Sequence, residues 1–383
     1  MEIYLDNAAT TPILPAVREA LLEVLDIYGN PSSLHGQGVK AQKVLEGARS
    51  EALKALGVRT GKVVFTGGGT EANNLAIFGA VSRHERRGRH LITTSVEHPS
   101  VLEAFRSLER HGWNVTYIAP AQDGSVLAAD VLSAVTPETV LVSVMHVNNE
   151  TGAMMPIEEI ADGLKVFPKT LFHVDGIQGF GKVRVNLQSH AIHMYSMSGH
   201  KLGAPKGVGG LYVRQGLDIH PVLYGGGQEY GLRSGTENVP GIHAFATAVR
   251  LAAESMDEES RRVSGLRTLL RDALTQDPRC VVHNPSQVSP YILSVSYPGL
   301  KGEVLVHALE REGVYVSTGS ACSTKGGRIA ASHVMQAMEL SDVEITGTLR
   351  LSLARWTTEE EVLEAVKIIR QQVDWLYDVG GMK

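Results

Sequence analysis

The chain is 383 residues long, 43% hydrophobic and 20% charged, which is the make-up of a globular protein large enough for two domains. A net charge of −5 excludes a nucleic-acid binder that relies on a broad basic face. Two cysteines exclude a disulfide framework and point to a reducing compartment, the cytoplasm.

The opening MEIYLDNAATTP is too acidic and polar for a signal peptide, and no stretch nears the roughly 18 apolar residues of a membrane span. The first predicted strand, KVVFT (62–66), runs into the helical pattern GGGTEANNLAIFGAVSRHERRG. HLITTS (90–95) precedes PSVLEAFRSLERHG, and WNVTYIA (113–119), TVLVSVMHV (139–147), TLFHVD (170–175), IHMYSMS (192–198) and GVGGLYVR (207–214) read as further strands. Strands separated by helices predict an α/β fold with a mainly parallel sheet covered on both faces. From about residue 240 the texture changes. A long helical pattern broken only by Gly265 leads to shorter strands, RCVVH, YILSVSY, VYVST and TLRLSLA, mixed with helices. This predicts a second, smaller α+β domain with the long helix as the bridge.

Ligands of parallel sheets collect at the carboxyl ends of the strands, so the residues just after each strand carry the chemistry. FTGGGTEANN (65–74) puts glycines and Thr70 before a helix, which is a phosphate cradle or a glycine-rich turn capped by Thr70. Gly67, Gly69 and Ala72 also fit the dinucleotide fingerprint G-x-G-x-x-A, but no acid ends the following strand. Asp175 ends LFHVD, as an ordinary cap or as a carboxylate aimed at a cationic ligand atom. Lys201 follows the next strand in MSGHKLGAPKG, flanked by Ser198 and His200. Alone it reads as a solvated charge. A lysine amine, an acid and a phosphate cradle together form the minimal set for pyridoxal phosphate. His98, in SVEHPS, is a capping residue or a ring that stacks on a flat cofactor. His173 is a strand-interior residue. Cys280 reads as structural, whereas Cys322, in STGSACSTKGG (317–327), sits among small and polar residues. That setting suits a reactive thiol on a loop freed by Gly319, Gly326 and Gly327.

These motifs resemble the cysteine desulfurases of the NifS/IscS class, within fold type I of the pyridoxal phosphate enzymes. The resemblance runs nearly end to end and rests on YLDNAATTP, FTGGGTEANNLAI, EHPSVL, VNNETG, HVDGIQ, SGHKLGAPKG, GGGQEYGLRSGTENV, GSACS and LRLSLARW. It implies a large cofactor domain over 15–250. A small domain over 1–14 and 251–383 would carry a catalytic cysteine loop at about 317–330. It also implies Lys201 as the Schiff-base lysine, Asp175 as the pyridinium partner, Gln178 on the cofactor's phenolic oxygen and His98 stacked on its ring and moving protons. Gly69, Thr70, Ser198 and His200 would bind the phosphate, joined by Thr236 from the other subunit of a homodimer. Asn149 and Arg350 would hold the substrate carboxylate, the arginine fork suiting that group, with Asn149 also beside the cofactor. Cys322 would be the nucleophile that takes sulfur from L-cysteine, and it can serve as a transient iron–sulfur ligand; no other metal site is implied. The persulfide would pass to an iron–sulfur scaffold or a tRNA-thiolation protein.

The chain departs from the commonest pattern at Gly69 (usually alanine), Ile177 (threonine or valine) and Ala204 (glycine), and none of these removes a functional group. Three other readings stay open at this point: a selenocysteine lyase, a nicotinamide dehydrogenase using the glycine-rich loop, and a sulfur-relay protein without catalysis.

Overall fold

The computed structural model describes residues 2–188, 191–318 and 331–380, with the backbone alone of 324–325 and 328–329. A short strand, β1 (Ile3–Tyr4), comes first. The central sheet follows, built from β2 (Lys62–Thr66), β3 (His90–Thr94), β4 (Asn114–Ile118), β5 (Thr139–Met145), β6 (Leu171–Asp175), β7 (Met194–Ser198) and β8 (Gly209–Val213). Their spatial order is β2-β8-β7-β6-β5-β3-β4. Only β8 runs against its neighbours; the remaining pairs are parallel. The chain steps outward from β3 to β4, then returns to β5 on the other side of β3. That reversal opens a crevice at the carboxyl ends of β3 and β5, where ligands of such sheets bind.

β5, β6, β7 and β8 are buried along their whole lengths, which explains their near-continuous apolar runs. Side chains alternate between two layers: Val63 and Phe65 enter one core and Val64 the other. The helices are α1 (Pro15–Glu23), α2 (Gly36–Ala55), α3 (Gly69–His84), α4 (Pro99–Arg110), α5 (Ala128–Ser133), α6 (Ile157–Gly163) and α7 (Val239–Leu274). α3 and α4 cover one face of the sheet. α2, α6 and the first half of α7 cover the other.

α7 has 36 residues, about 54 Å at about 1.5 Å per residue. Its second half, through Val263, Leu266, Leu270 and Leu274, enters a separate core. That core holds β9 (Val281–Val282), β10 (Ile292–Ser296), α8 (Gly302–Arg311) and β11 (Val314–Tyr315). After β12 (Thr324–Lys325) and β13 (Arg328–Ile329) come α9 (His333–Ala337), α10 (Asp342–Thr346), β14 (Thr348–Ser352) and α11 (Glu359–Val379). β9, β10 and β14 form an antiparallel sheet, against which α8 and α11 pack. α9 instead packs on the core of the central sheet through Val334 and Met335.

The N-terminal segment joins the two cores. β1 pairs with β11, Asp6 bridges Ser352, and Thr11 exchanges hydrogen bonds with the His200 carbonyl and the Gly203 amide. Among the described residues no helix is long and apolar enough to cross a membrane.

Candidate active site

The carboxyl ends of β2, β3, β5, β6 and β7 converge on a cavity of about 310 Å³. Ten residues singled out from the sequence line it: Gly69, Thr70, His98, Asn149, Asp175, Gln178, Ser198, His200, Lys201 and Arg350. Ala8 and Ala9 of the N-terminal segment, with Met145, Val147 and Ile177, complete the wall. Thr236 is not among them; it is exposed and lines a neighbouring recess with Gly67, Gly207 and Arg233. Cys322 lies outside the described residues, as do Gly319, Gly326 and Gly327. The described residues flanking that segment have three partners, of which Arg350 lines the cavity. Ser317 pairs with Arg350 through the backbone, Ser332 Oγ donates to Glu150, and His333 Nε2 bonds the Glu97 carbonyl.

Lys201 sits in a short turn after β7 and donates through Nζ to the Ala8 and Ala9 carbonyls at 2.7 and 2.6 Å. Asp175 is the last residue of β6 and is buried. Burial pushes its carboxyl above the usual range, while His98, the Ile177 amide, Asn73 and Lys201 pull it back. Asn73 Nδ2 donates to Asp175 Oδ2 at 2.8 Å and the Ile177 amide to Oδ1 at 3.0 Å, so the carboxylate is held on two sides. A buried acid pinned in this way is suited to meet a cation from the cavity.

The sequence left Thr70 as a possible cap of α3. The helix instead begins at Gly69, with Gly68 as its N-cap and no side-chain hydrogen bond capping the first turn. Its free N–H groups therefore face the cavity, where an anion is favoured. Ser198 Oγ is buried and has no hydrogen-bond partner among the described residues. His200 bonds Thr10 Oγ1 at 3.2 Å; burial, then Lys201, Lys206 and Lys182, push its pKa down to about 4. Neutral at ordinary pH, it meets an anion as a hydrogen-bonding ring. A helix start, an unpartnered hydroxyl and a glycine in the cavity wall are groups that suit a phosphate, and with Asp175 and Lys201 the donor set fits pyridoxal phosphate.

Arg350, in β14, points its fork at the same cavity. Nη1 donates to the Asn149 carbonyl at 2.9 Å and Nη2 to Asp6 Oδ1 at 2.8 Å. Its Nε is buried without a partner among the described residues.

His173 is wholly buried between Ser143 and Ser196, outside the cavity. Cys280 is half-buried, and burial pushes its thiol up to about 11. Both sit apart from the chemistry, as their sequence settings suggested.

Four residues near the site had no role from sequence: Asp6, Asn73, Glu97 and Lys182. Glu97 is fully buried. It accepts from Thr94 Oγ1 and the Met145 amide, and burial pushes it up to about 8. Lys182 is a second buried amine, pushed down to about 7 by burial and then by Lys201 and Arg350. Its Nζ bonds Gln178 Oε1 at 3.5 Å, while Gln178 Nε2 donates to the Ala8 carbonyl at 2.8 Å. The amide oxygen is thereby occupied, and Gln178 presents its NH₂ side. The sequence carried no signal for this pair, because residues 177–182 form a turn and not a helix.

The class-V aminotransferase family model matches residues 3–364. A protein of Nostoc sp. named "Cysteine desulfurase" is 39% identical over 384 aligned residues, covering 100% of this chain and 95% of its own. "Cysteine desulfurase IscS" of Dictyoglomus turgidum is 37% identical, covering 100% of this chain and 97% of its own. A solved structure titled "NIFS-LIKE PROTEIN" superposes with a TM-score of 0.91 at 37% identity, over 98% of this chain and all of that one.

Proposed function

Because the chain belongs to the class-V aminotransferase family, whose members depend on pyridoxal phosphate, we propose that it is a cysteine desulfurase. It takes sulfur from L-cysteine, leaving L-alanine and a persulfide on Cys322. The observation that carries this reading is the gathering of Lys201, Asp175 and Arg350 around one cavity. The relatives named cysteine desulfurases support the choice of substrate.

When bound, pyridoxal phosphate supplies an aldehyde that condenses with amines and a protonated ring that accepts the electrons left by a departing α-proton. Ser198 Oγ, His200 and the N–H groups of Gly69 and Thr70 would hold its phosphate. The Asp175 carboxylate keeps positive charge on the ring nitrogen, and Gln178 offers its NH₂ group to the phenolic oxygen. Lys201 Nζ, in the cavity wall, would be the amine that holds the aldehyde, and as a free amine it would serve as the base for the substrate α-proton. Arg350 would fix the substrate carboxylate with its guanidinium, with Asn149 beside it in the cavity wall. The Cys322 thiolate attacks the substrate sulfur. The sulfur–carbon bond breaks, sulfur stays on Cys322, and the three-carbon fragment takes protons to become alanine. The loop flanks at Ser317 and Ser332 touch Arg350 and Glu150, which supports delivery of this thiol to the cavity.

The protein works as a cytoplasmic homodimer in which Thr236 serves the partner's phosphate site. It divides into a cofactor domain over 15–250 and a small domain from 1–14 and 251–383. The passage of α7 from one core to the other supports that division. The persulfide goes to an iron–sulfur scaffold or a tRNA-thiolation protein.

The test is direct. The purified chain should carry one cofactor per chain, absorb in the near-UV to visible range and make alanine and sulfide from L-cysteine with a reductant. Cys322→Ala should keep the colour and lose the persulfide; wild-type sulfide output from that variant would overturn the nucleophile assignment. Lys201→Ala should abolish turnover.

A further inference from the structure

His98 opens α4 as its N-cap, followed by Pro99 at the first helical position. Two donors converge on one nitrogen of its ring. The Ser100 backbone amide donates to Nδ1 at 3.1 Å, and Ser100 Oγ lies 2.8 Å from the same atom. A backbone N–H cannot reverse its role, so Nδ1 must carry a lone pair and not a proton. The hydroxyl has its own constraint. Asn73 Nδ2 donates to Ser100 Oγ at 2.9 Å, which directs the serine proton onward to Nδ1. Asn73 is in turn oriented by Asp175. Its Nδ2 also donates to Asp175 Oδ2 at 2.8 Å, and its own Oδ1 is buried without a partner among the described residues. Turning the amide over would set that oxygen against the Asp175 carboxylate. The direction of donation is thus fixed: Asn73, anchored on the accepting Asp175 carboxylate, donates to Ser100, and Ser100 donates to the His98 ring.

With Nδ1 occupied as an acceptor, the single proton of a neutral imidazole resides on Nε2. The titratable groups facing the ring are Asp175, which favours protonation, and Lys201 and His333, which oppose it; burial opposes it most. The ring is therefore held below its ordinary pKa, in agreement with the geometry.

We propose that Asn73 and Ser100 are positioning residues that lock His98 as a neutral imidazole protonated on Nε2, so that it meets bound cofactor and substrate as a hydrogen-bond donor and not as a base. Nε2–H is suited to hold negative charge building on an acceptor in the cavity, such as a substrate thiolate. Taking the α-proton falls to Lys201. The locked ring stands on contacts within this chain alone; its role toward substrate sulfur rests on the desulfurase reading above.

The full chain, loaded with cofactor and labelled with ¹⁵N-histidine, is examined by two-bond ¹H–¹⁵N correlation, and His98 is identified by the signals missing in His98→Gln. Nδ1 should show as a bare, pyridine-like nitrogen and Nε2 as protonated, from mildly acid to mildly alkaline pH. The cofactor-stripped chain should show the same pattern. A proton on Nδ1, or on both nitrogens near neutrality, overturns the proposal. Ser100→Ala should shift the Nδ1 signal and lower kcat about three- to tenfold, the worth of one neutral hydrogen bond, with little change in KM. Ser100→Thr should restore both. If Ser100→Ala moves neither the signal nor kcat, the relay has no positioning role and the proposal is overturned. A locked ring in a chain that makes no alanine from cysteine upholds the lock and overturns only the desulfurase reading.

Discussion

A methyl group placed on Gly69 would lie 2.2 Å from Ile177 Cδ1 and 2.8 Å from its Cγ1. The two positions depart from the commonest desulfurase pattern together, and the structure supplies the reason. A longer side chain at 177 fills the space that a methyl at 69 would take. Gly69→Ala alone should cost about 1–3 kcal/mol by overpacking, nearer the lower end because Ile177 Cδ1 is the free tip of its side chain. Some of the loss should appear as weaker cofactor binding, since both residues line the cavity. Adding Ile177→Val should recover most of it. A double-mutant cycle on urea midpoints and cofactor affinity checks this; strictly additive effects would count against the coupling. At this scale the sequence was legible where a residue's chemistry is its signal. Asp175, Lys201 and Arg350 stand in motifs, and all three line the cavity. Asn73 and Lys182 were not legible, because an amide inside a helix and a lysine after a glycine read as ordinary polar residues. Their roles come from what lies beside them across the fold: Asp175 is 2.8 Å from Asn73, and Gln178 is 3.5 Å from Lys182.

At the scale of elements, periodicity located every strand of the central sheet, because runs such as TVLVSVM are buried on both faces. It carried no information on direction. β8 reads like its neighbours yet runs antiparallel to both β2 and β7, since GGLYV can pair either way. Nor did it place the start of α3, where the glycine run hid that Gly68 and not Thr70 forms the cap. The bridging helix was the most legible element. α7 begins at Val239 behind an Asn238 cap whose Oδ1 accepts from the Gly241 amide at 3.1 Å. It changes cores between Ala252 and Val263 without a break. Gly265, the glycine in its interior beyond the first turn, is exposed, and an added Cβ there meets nothing within 4 Å. Gly265→Ala should therefore stabilise the chain by about 0.5–1 kcal/mol through helix propensity and a less flexible unfolded state. The change should raise the urea midpoint and leave kcat for cysteine unaltered. A lower midpoint would mean that the helix is not continuous there.

At the scale of the molecule, the cavity is assembled from distant parts of the chain: carbonyls of Ala8 and Ala9, sheet ends from Gly69 to Lys201, and Arg350 from β14. Thr236 stands apart from it. Its loop carries exposed Val222, Leu223, Tyr224 and Tyr230, apolar surface of the kind that partner chains cover. The loop is held firmly. Glu229 and Tyr230 take positive φ values of 50° and 61°, a conformation non-glycine residues adopt only when the surroundings enforce it. Here the buried Arg49 guanidinium does so, donating to both Glu229 carboxylate oxygens at 2.7 and 2.8 Å. A rigid apolar loop ending in a stray threonine fits a second copy of the chain, whose phosphate site would receive Thr236. Two defective chains can test this. Lys201→Ala lacks the amine, and Thr236→Val lacks the hydroxyl and should hold cofactor poorly at limiting concentration. If Thr236 serves its own chain, mixing the two restores nothing, because neither chain holds a complete set. If it serves the partner, a mixed dimer has one complete site: Lys201 from the Thr236→Val chain and Thr236 from the Lys201→Ala chain. Random pairing makes half of the dimers mixed, so about a quarter of all sites should work. Desulfurase activity measured after co-refolding or co-expression reads that fraction. Recovery well above the Thr236→Val background establishes the shared site, and none would confine Thr236 to its own subunit.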